Sequence, residues 1–315
     1  MSGAAALPRV DVSAGDDEVA RRIDAACREV GFFTVVGHGI DPGLQARMDA
    51  AARAFFARPE DEKATVAMAH GGRAWRGWFP LHGELTSGVP DHKEGYYVGR
   101  ELPADGRLLH GPNLWPSEPA DLAPAVTAWM EAMEVLAQRL VRAIGIALGL
   151  GPDWFARHLT ADPTVLFRIF RYPPIPPPVE GWGVAEHTDY GLLILLAQDD
   201  QGGLQVHGTD GWIDVPPRAL VVNLGDMLDR MTEGRYRSTP HRVRPTAGDR
   251  DRLSFPFFFD PSWDAEVRPL PLGGEAPPEV SRWDGTSLRH LEGTYGEYLT
   301  AKVAKVFPDL GTEVL

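Results

Sequence analysis

The strongest constraint on the fold is a change of pattern near residue 163. Before it, apolar residues recur at helical spacing over residues 16–30, 43–57 and 122–150. Beyond it, seven short apolar or alternating segments are separated by turn-forming residues: 165–170, 191–197, 203–207, 212–215, 219–224, 241–244 and 253–259. The 34 glycines and 28 prolines exceed the average share of these residues, as many turns require. The pattern predicts an α+β chain whose second half is a β-sandwich or barrel.

The remaining segments complete the predicted organisation. A short strand is expected at residues 32–36, an irregular insert at 70–118 and a terminal helix at 295–306. We divide the chain into three regions of one integrated unit: a mainly helical N-terminal region with small strands, a β-rich core, and a C-terminal helical segment. Their bounds are 1–160, 161–270 and 271–315.

Charge and cysteine content exclude several classes of protein. The 31 basic and 44 acidic residues give a net charge of −13, which argues against binding to nucleic acid or to an anionic membrane surface. The single cysteine, Cys27, rules out intramolecular disulfides and multi-cysteine zinc sites. The first residues lack the pattern of a signal peptide, and the longest strongly apolar run, 192–197, is too short to span a bilayer. We expect a cytoplasmic protein of unknown oligomeric state.

Two histidines and an aspartate are well suited to bind a metal. His187 and Asp189 are two positions apart, and residues i and i+2 of a strand share a face. A closed β-fold can bring His241 beside them from a neighbouring strand. Two imidazoles and one carboxylate form the facial triad of non-haem iron(II) oxygenases, which leaves other coordination positions open. We therefore predict one metal bound by these three residues, with a partner for the second nitrogen of each imidazole.

A second pair of polar residues follows His241. Arg252 and Ser254 would share one strand face and lie about one hairpin beyond the distal histidine. The guanidinium group is planar and binds a carboxylate through two charge-assisted hydrogen bonds, to which a serine adds a third donor. A buried arginine opposite a metal site therefore indicates an anchor for a carboxylate cosubstrate.

Further motifs extend along the chain: Glu29-Val30-Gly31-Phe32-Phe33, Gly37-His38-Gly39-Ile40, Asp91-His92-Lys93-Glu94, Arg171-Tyr172-Pro173-Pro174, Gly225-Asp226 and His241-Arg242-Val243. With His187, Asp189, Arg252 and Ser254, they resemble the isopenicillin N synthase-like branch of the iron(II)/2-oxoglutarate-dependent oxygenases over nearly the whole chain. Arg171 stands where plant members have a tyrosine, and the sequence there and around His187 is similar to bacterial ethylene-forming enzymes.

The resemblance implies a double-stranded β-helix (jelly-roll, cupin-like) core flanked by an N-terminal helical region and a C-terminal helix. It implies Fe(II) held by His187, Asp189 and His241, with 2-oxoglutarate and O2 as cosubstrates. Arg252 and Ser254 would bind the distal carboxylate of 2-oxoglutarate, with Arg171 and Tyr172 at the cosubstrate wall. The expected reaction is hydroxylation, desaturation or cyclisation of a small molecule, as in secondary metabolism, with succinate and CO2 as coproducts.

Four residues are candidates for contact with the substrate: Glu84, Thr86, Tyr190 and Phe257. Phe257 suits a core position better than a pocket position. Asp91, Lys93 and Glu94 are interpreted instead as a buried network of ion pairs.

Two alternative functions stay open at this point. An oxidase like isopenicillin N synthase, which uses no 2-oxoglutarate, also has the Arg-x-Ser pair and uses it for a substrate carboxylate. That enzyme has a glutamine near its C-terminus, whereas the last glutamine here is Gln205. A zinc hydrolase or a metal-dependent binding module could use the same histidines, but no general-base glutamate lies in a known hydrolase motif.

Overall fold

The computed structural model describes residues 6–86, 88–175, 181–246, 249–279 and 281–306. Both chain ends, including the last nine residues of the predicted C-terminal segment, lie outside these ranges. In the described part of the chain, a short 3-10 helix at Met68–Ala74 accompanies seven α-helices: α1 (Asp16–Glu29), α2 (Pro42–Phe56), α3 (Glu60–Ala64), α4 (Leu122–Ala147), α5 (Trp154–His158), α6 (Asp226–Met231) and α7 (Tyr295–Val306).

Fourteen strands are present in the same residues: β1 (Arg9–Asp11), β2 (Phe32–Val36), β3 (Gly77–Phe79), β4 (Leu85–Thr86), β5 (Val89–Pro90), β6 (Glu94–Gly99), β7 (Pro163–Tyr172), β8 (Val184–His187), β9 (Leu193–Gln198), β10 (Leu204–Gly208), β11 (Gly211–Asp214), β12 (Leu220–Leu224), β13 (His241–Val243) and β14 (Arg252–Ser262). They form an eight-stranded sheet in the order β1-β2-β12-β9-β14-β7-β6-β3, a four-stranded sheet in the order β11-β10-β13-β8, and the small pair β4-β5. This combination confirms the α+β class.

The N-terminal helices pack together and against the large sheet. The buried residues of α1 recur at helical spacing, and α4 contacts α1, α2, β9 and β14. Gly31 ends α1 with φ +71°, a conformation that strongly favours glycine, and a Cβ there would lie 2.2 Å from the carbonyl oxygen of Arg237. α2 begins with Pro42 after Asp41, whose side chain accepts a hydrogen bond from the Gly43 amide at 2.9 Å.

Most of the predicted elements are confirmed within a few residues at their ends. The strand at 32–36 and the helix at 295–306 have the predicted bounds, and each of the seven predicted segments of the second half coincides with a strand. The irregular insert at 70–118 is wrong in part, because β6 lies inside it and pairs with β7 in the large sheet. All six residues of β6 are buried, so both of its faces are covered and no alternation marks it as a strand.

No α-helix in the described ranges is long and apolar enough to cross a lipid bilayer.

Candidate metal centre and its cavity

A cavity of about 520 Å³ lies between the two sheets. The large sheet lines it with alternate residues of β7, β9 and β14, and the small sheet lines it with residues of β8, β10 and β13. The size is ordinary for a small-molecule site. The inward faces of both sheets therefore decide which side chains can take part in its chemistry.

His187, Asp189 and His241 come together on the small-sheet side of this cavity. One ligand atom from each residue lies within 4.8 Å of those of the other two. His187 ends β8 and His241 begins β13, and the two residues are direct partners in the antiparallel register. The structure thus brings the three predicted ligands to one point, as a single metal ion requires.

Asp189 reaches this point by a different route from the one predicted. β8 ends at His187, so Asp189 lies in the segment that follows the strand and does not share a strand with His187. Its carboxylate accepts a hydrogen bond from the Asn223 amide at 2.8 Å, and its carbonyl accepts one from the Asp226 backbone at 2.7 Å. This approach needs glycine at position 225, where a Cβ would lie 2.1 Å from the Gly191 carbonyl oxygen.

In each of the two histidines, Nδ1 faces a backbone carbonyl two residues earlier in the chain. Nδ1 of His187 lies 2.7 Å from the Ala185 carbonyl, and Nδ1 of His241 lies 3.3 Å from the Thr239 carbonyl. A proton on each Nδ1 leaves the Nε2 lone pair available for a metal. Burial lowers the pKa of both histidines, that of His241 to about 4, so the neutral form that binds metals prevails at neutral pH.

The donor set suits a divalent transition metal. Two imidazole nitrogens and one carboxylate oxygen converge on one side, and the open cavity lies on the other. Such an arrangement is typical of non-haem iron(II) oxygenases, in which the remaining positions take small molecules. The residues therefore fit iron(II) by their chemistry and by their placement.

Arg252 lies in the wall of the cavity on β14 and is 1% exposed. Its Nε donates to the Gly202 carbonyl at 2.5 Å and its Nη2 to the Gln198 amide oxygen at 3.1 Å, whereas Nη1 is buried with no hydrogen-bond partner in the described part of the chain. No carboxylate of the described residues forms an ion pair with it. A buried cation in this state is suited to an anionic ligand.

Ser254 and Tyr172 line the cavity beside Arg252, as predicted. The Tyr172 ring centre lies 4.7 Å from the guanidinium carbon, and the two hydroxyl oxygens of Ser254 and Tyr172 are 3.4 Å apart. β7 and β14 are paired in the sheet, with Arg252 opposite Tyr172. These two strands therefore place all three side chains at one end of the cavity.

Two predicted site residues do not face the cavity. Arg171 is paired with Glu94 at 2.5 Å and with Asp251 at 2.7 Å, because its neighbours Phe170 and Tyr172 occupy the inward positions of β7. Phe257 is fully buried in the hydrophobic core, and Phe258 lines the cavity in its place. The alternation of side chains along a strand explains both corrections.

Glu84, Thr86 and Tyr190, three of the candidates for contact with the substrate, line the cavity. Glu84 and Asp91 form buried ion pairs with Lys93 at 2.8 and 2.7 Å, and the Thr86 hydroxyl donates to Asp91 at 2.6 Å. Against the opposing effect of burial, these two carboxylates raise the pKa of Lys93. The predicted network is present, but Glu94 belongs to a separate one with Lys63 and Arg171.

Arg168, Asn223 and Asp226 carry contacts in the site that no prediction assigned to them. Arg168 faces the cavity from β7, with Phe170 and Tyr172 at the next two inward positions. The alternation between these three residues was the signal that could have identified it. Asp226 lies in the Gly225-Asp226 motif, which assigned it no role. Asn223 had no local signal, since its role depends on the approach of β12 to the segment that carries Asp189.

Two family models match the chain. The model for the N-terminal part, described as "non-haem dioxygenase in morphine synthesis N-terminal", matches residues 7–118. The model of the 2OG-Fe(II) oxygenase superfamily matches residues 163–261, which include the three candidate metal ligands and Arg252.

Similar proteins match over almost the full length. A probable iron/ascorbate oxidoreductase of Dictyostelium discoideum is 40% identical, with 98% of this chain and 97% of the relative covered. A homoarginine-6-hydroxylase of Glycine max is 34% identical, with 96% and 93% covered. Among solved structures, a full-length Neurospora crassa protein in complex with alpha-KG has a TM-score of 0.79 at 26% identity, covering 96% of this chain and 98% of its own. JOX2 in complex with 2OG, Fe and JA has a TM-score of 0.76 at 30% identity, with 94% and 84% covered. Because it matches these relatives over nearly its full length, matches the family model and brings His187, Asp189 and His241 together at one point, the chain belongs to the 2OG-Fe(II) oxygenase superfamily.

Proposed function

We propose that His187, Asp189 and His241 hold the Fe(II) of this enzyme and that Arg252 binds the distal carboxylate of 2-oxoglutarate in the same cavity. Family membership makes the protein an Fe(II)- and 2-oxoglutarate-dependent oxygenase that acts on a small molecule. The observation that carries the residue roles is the combination of a converged His-Asp-His cluster with a buried arginine that has no described carboxylate partner.

The residues of the chain have distinct tasks in this proposal. When bound, iron and 2-oxoglutarate supply the oxidation of the substrate by O2, with succinate and CO2 as coproducts. The carbonyls of Ala185 and Thr239 orient the two imidazoles, and Asn223 orients the Asp189 carboxylate. Ser254 adds a hydroxyl next to the Arg252 fork, so the cosubstrate carboxylate meets several donors at once.

The arrangement of the two facing sheets is also part of the proposal. We infer that the two facing sheets form a double-stranded β-helix, with the cavity enclosed between them. The antiparallel pairing of β9, β14 and β7 on one side and of β10, β13 and β8 on the other supports this description. β2 and β6 of the N-terminal half pair with β12 and β7 in the large sheet. This pairing supports a single integrated unit formed by the N-terminal half and the β-rich core.

The deciding experiment measures binding of metal and of 2-oxoglutarate separately, by elemental analysis and by calorimetry without O2. Arg252→Ala should retain the metal but bind 2-oxoglutarate about 30-fold to several-thousand-fold more weakly, because a buried charge pair is lost. Arg252→Lys should recover only part of the affinity, since an ammonium group lacks the planar fork. His187→Ala should lose the metal itself.

The same experiment separates the alternatives. Unchanged 2-oxoglutarate affinity in Arg252→Ala would assign this arginine to another ligand. Substrate oxidation by the wild-type enzyme in the absence of 2-oxoglutarate would favour the oxidase alternative.

A further inference from the structure

A second arginine faces the cavity at the other end of the same sheet face. Arg168 and Tyr172 both point inward from β7 and are four residues apart, which corresponds to roughly 13 Å along a strand. Tyr172 is the register partner of Arg252. The cavity therefore has one guanidinium group near each end of this wall.

Arg168 has more donors than its neighbours use. Its Nε is buried and has no hydrogen-bond partner among the described residues, and Nη1 lies 3.7 Å from the Glu84 carboxylate, which is beyond hydrogen-bond distance. Tyr190 lies close enough to interact with it electrostatically. The rings of Tyr97 and Phe258 each lie with their centres 4.5 Å from the guanidinium carbon. These contacts hold the group rigidly and leave part of its hydrogen-bonding capacity available.

The acidic residues nearby are already engaged. Glu84 is ion-paired with Lys93 and accepts a hydrogen bond from the Tyr97 hydroxyl, and Asp91 is bound by Lys93 and Thr86. The cluster of Glu84, Asp91, Lys93 and Arg168 contains two groups of each sign. Glu84 Oε2 makes no hydrogen bond among the described residues, but it lies 2.8 Å from the Lys93 ammonium group, which compensates its charge. The Arg168 guanidinium has no carboxylate of the described residues within hydrogen-bond distance, which favours an acceptor group on the ligand over a cationic one.

We propose that the substrate is a carboxylic acid whose carboxylate is bound by Arg168. This inference rests on the proposed function and names the substrate class of the same site. Arg252 then binds the distal carboxylate of 2-oxoglutarate, and Arg168 binds the carboxylate of the substrate. The planar fork of Arg168 suits a carboxylate, and its position away from Arg252 sets the substrate apart from the cosubstrate.

The test uses matched sets of small molecules. The panel contains straight-chain acids of six to ten carbons, arylacetic acids and α-amino acids. Each acid is compared with its primary amide. Each unsubstituted acid is also compared with the amine of the same skeleton. Binding to the enzyme saturated with Zn(II) and 2-oxoglutarate is measured by saturation-transfer NMR. We expect acids to bind and their amides and amines to bind at least about 30-fold more weakly, since the charge-assisted contact is lost.

Three variants locate the contact. Arg168→Gln should weaken acid binding at least about 30-fold and remove the preference for acids over amides. Arg168→Lys should keep part of the preference, because the charge remains without the fork. Arg171→Gln is the matched control: it removes an arginine from the same strand on the opposite face and should leave acid binding at the wild-type value.

Several outcomes would overturn the inference: no acid binding above that of the amides across the panel, a preference for amines, or undiminished acid binding by Arg168→Gln. Calorimetry of 2-oxoglutarate on each variant shows that the fold and the cosubstrate site are intact. Loss of 2-oxoglutarate binding by the wild-type protein would instead contradict the proposed function, so the two failures are distinguishable.

Discussion

At the scale of single residues, Asn223 shows how a neutral side chain can control a metal ligand. Its amide donates to the Asp189 carboxylate at 2.8 Å, and the residue is 2% exposed. We predict that Asn223→Leu lowers metal affinity about 10- to 100-fold, because the carboxylate loses the group that orients it. Competition titration with a metal indicator measures this change. Urea unfolding of the metal-free protein is the control, and unchanged affinity in a folded variant would contradict the role assigned to Asn223.

At the scale of elements, helix α7 is attached to β14 through one buried pair. The Tyr295 hydroxyl donates to the Asp260 carboxylate at 2.6 Å, whereas the hydroxyl of Tyr298, one turn further along, is buried and finds no hydrogen-bond partner within the residues that the structure describes. We predict that Tyr295→Phe lowers the free energy of unfolding by about 1–3 kcal/mol, because a buried acceptor loses its donor. Tyr298→Phe, the matched control, should be neutral or slightly stabilising. Equal losses in urea unfolding of the two variants would refute this account.

At the scale of the whole molecule, Asp260 links stability to pH. Burial raises the pKa of this carboxyl to about 7, although hydrogen bonds from Tyr295 and Leu192 oppose the shift. The unfolded chain has a value of about 3.9, so the folded protein binds the additional proton between these limits. The contribution of Asp260 to the free energy of unfolding is therefore full below about pH 4 and is lost as the pH rises to about 7.

Asp260→Asn should remove this dependence. We predict that the variant gains stability relative to the wild-type protein as the pH rises from about 5 to about 8, since an amide has no proton to lose on this interval. Urea unfolding of the metal-free proteins at several pH values across this interval measures the difference. Parallel stability profiles for the two proteins would show that Asp260 does not titrate in this range.

The sequence by itself determined what depends on local periodicity and on residue chemistry. Apolar spacing predicted α1, β2 and the strands of the second half, because one buried face imposes a period of 3.6 or 2. The choice of His187, Asp189 and His241 rested on the preference of iron(II) for imidazole and carboxylate ligands and on the resemblance carried by the motifs around them.

Only the tertiary structure decided which face of each strand borders the cavity and which residues support the site. β6 escaped prediction because neighbours cover both of its faces. Arg168 and Arg171 are three positions apart in the apolar strand β7 and therefore lie on opposite faces. Alternation alone does not say which face borders the cavity, and the pairing of Tyr172 with Arg252 decides it. Asn223 acts on Asp189 from 34 residues away. Such contacts are absent from local patterns because they arise only when distant segments pack together.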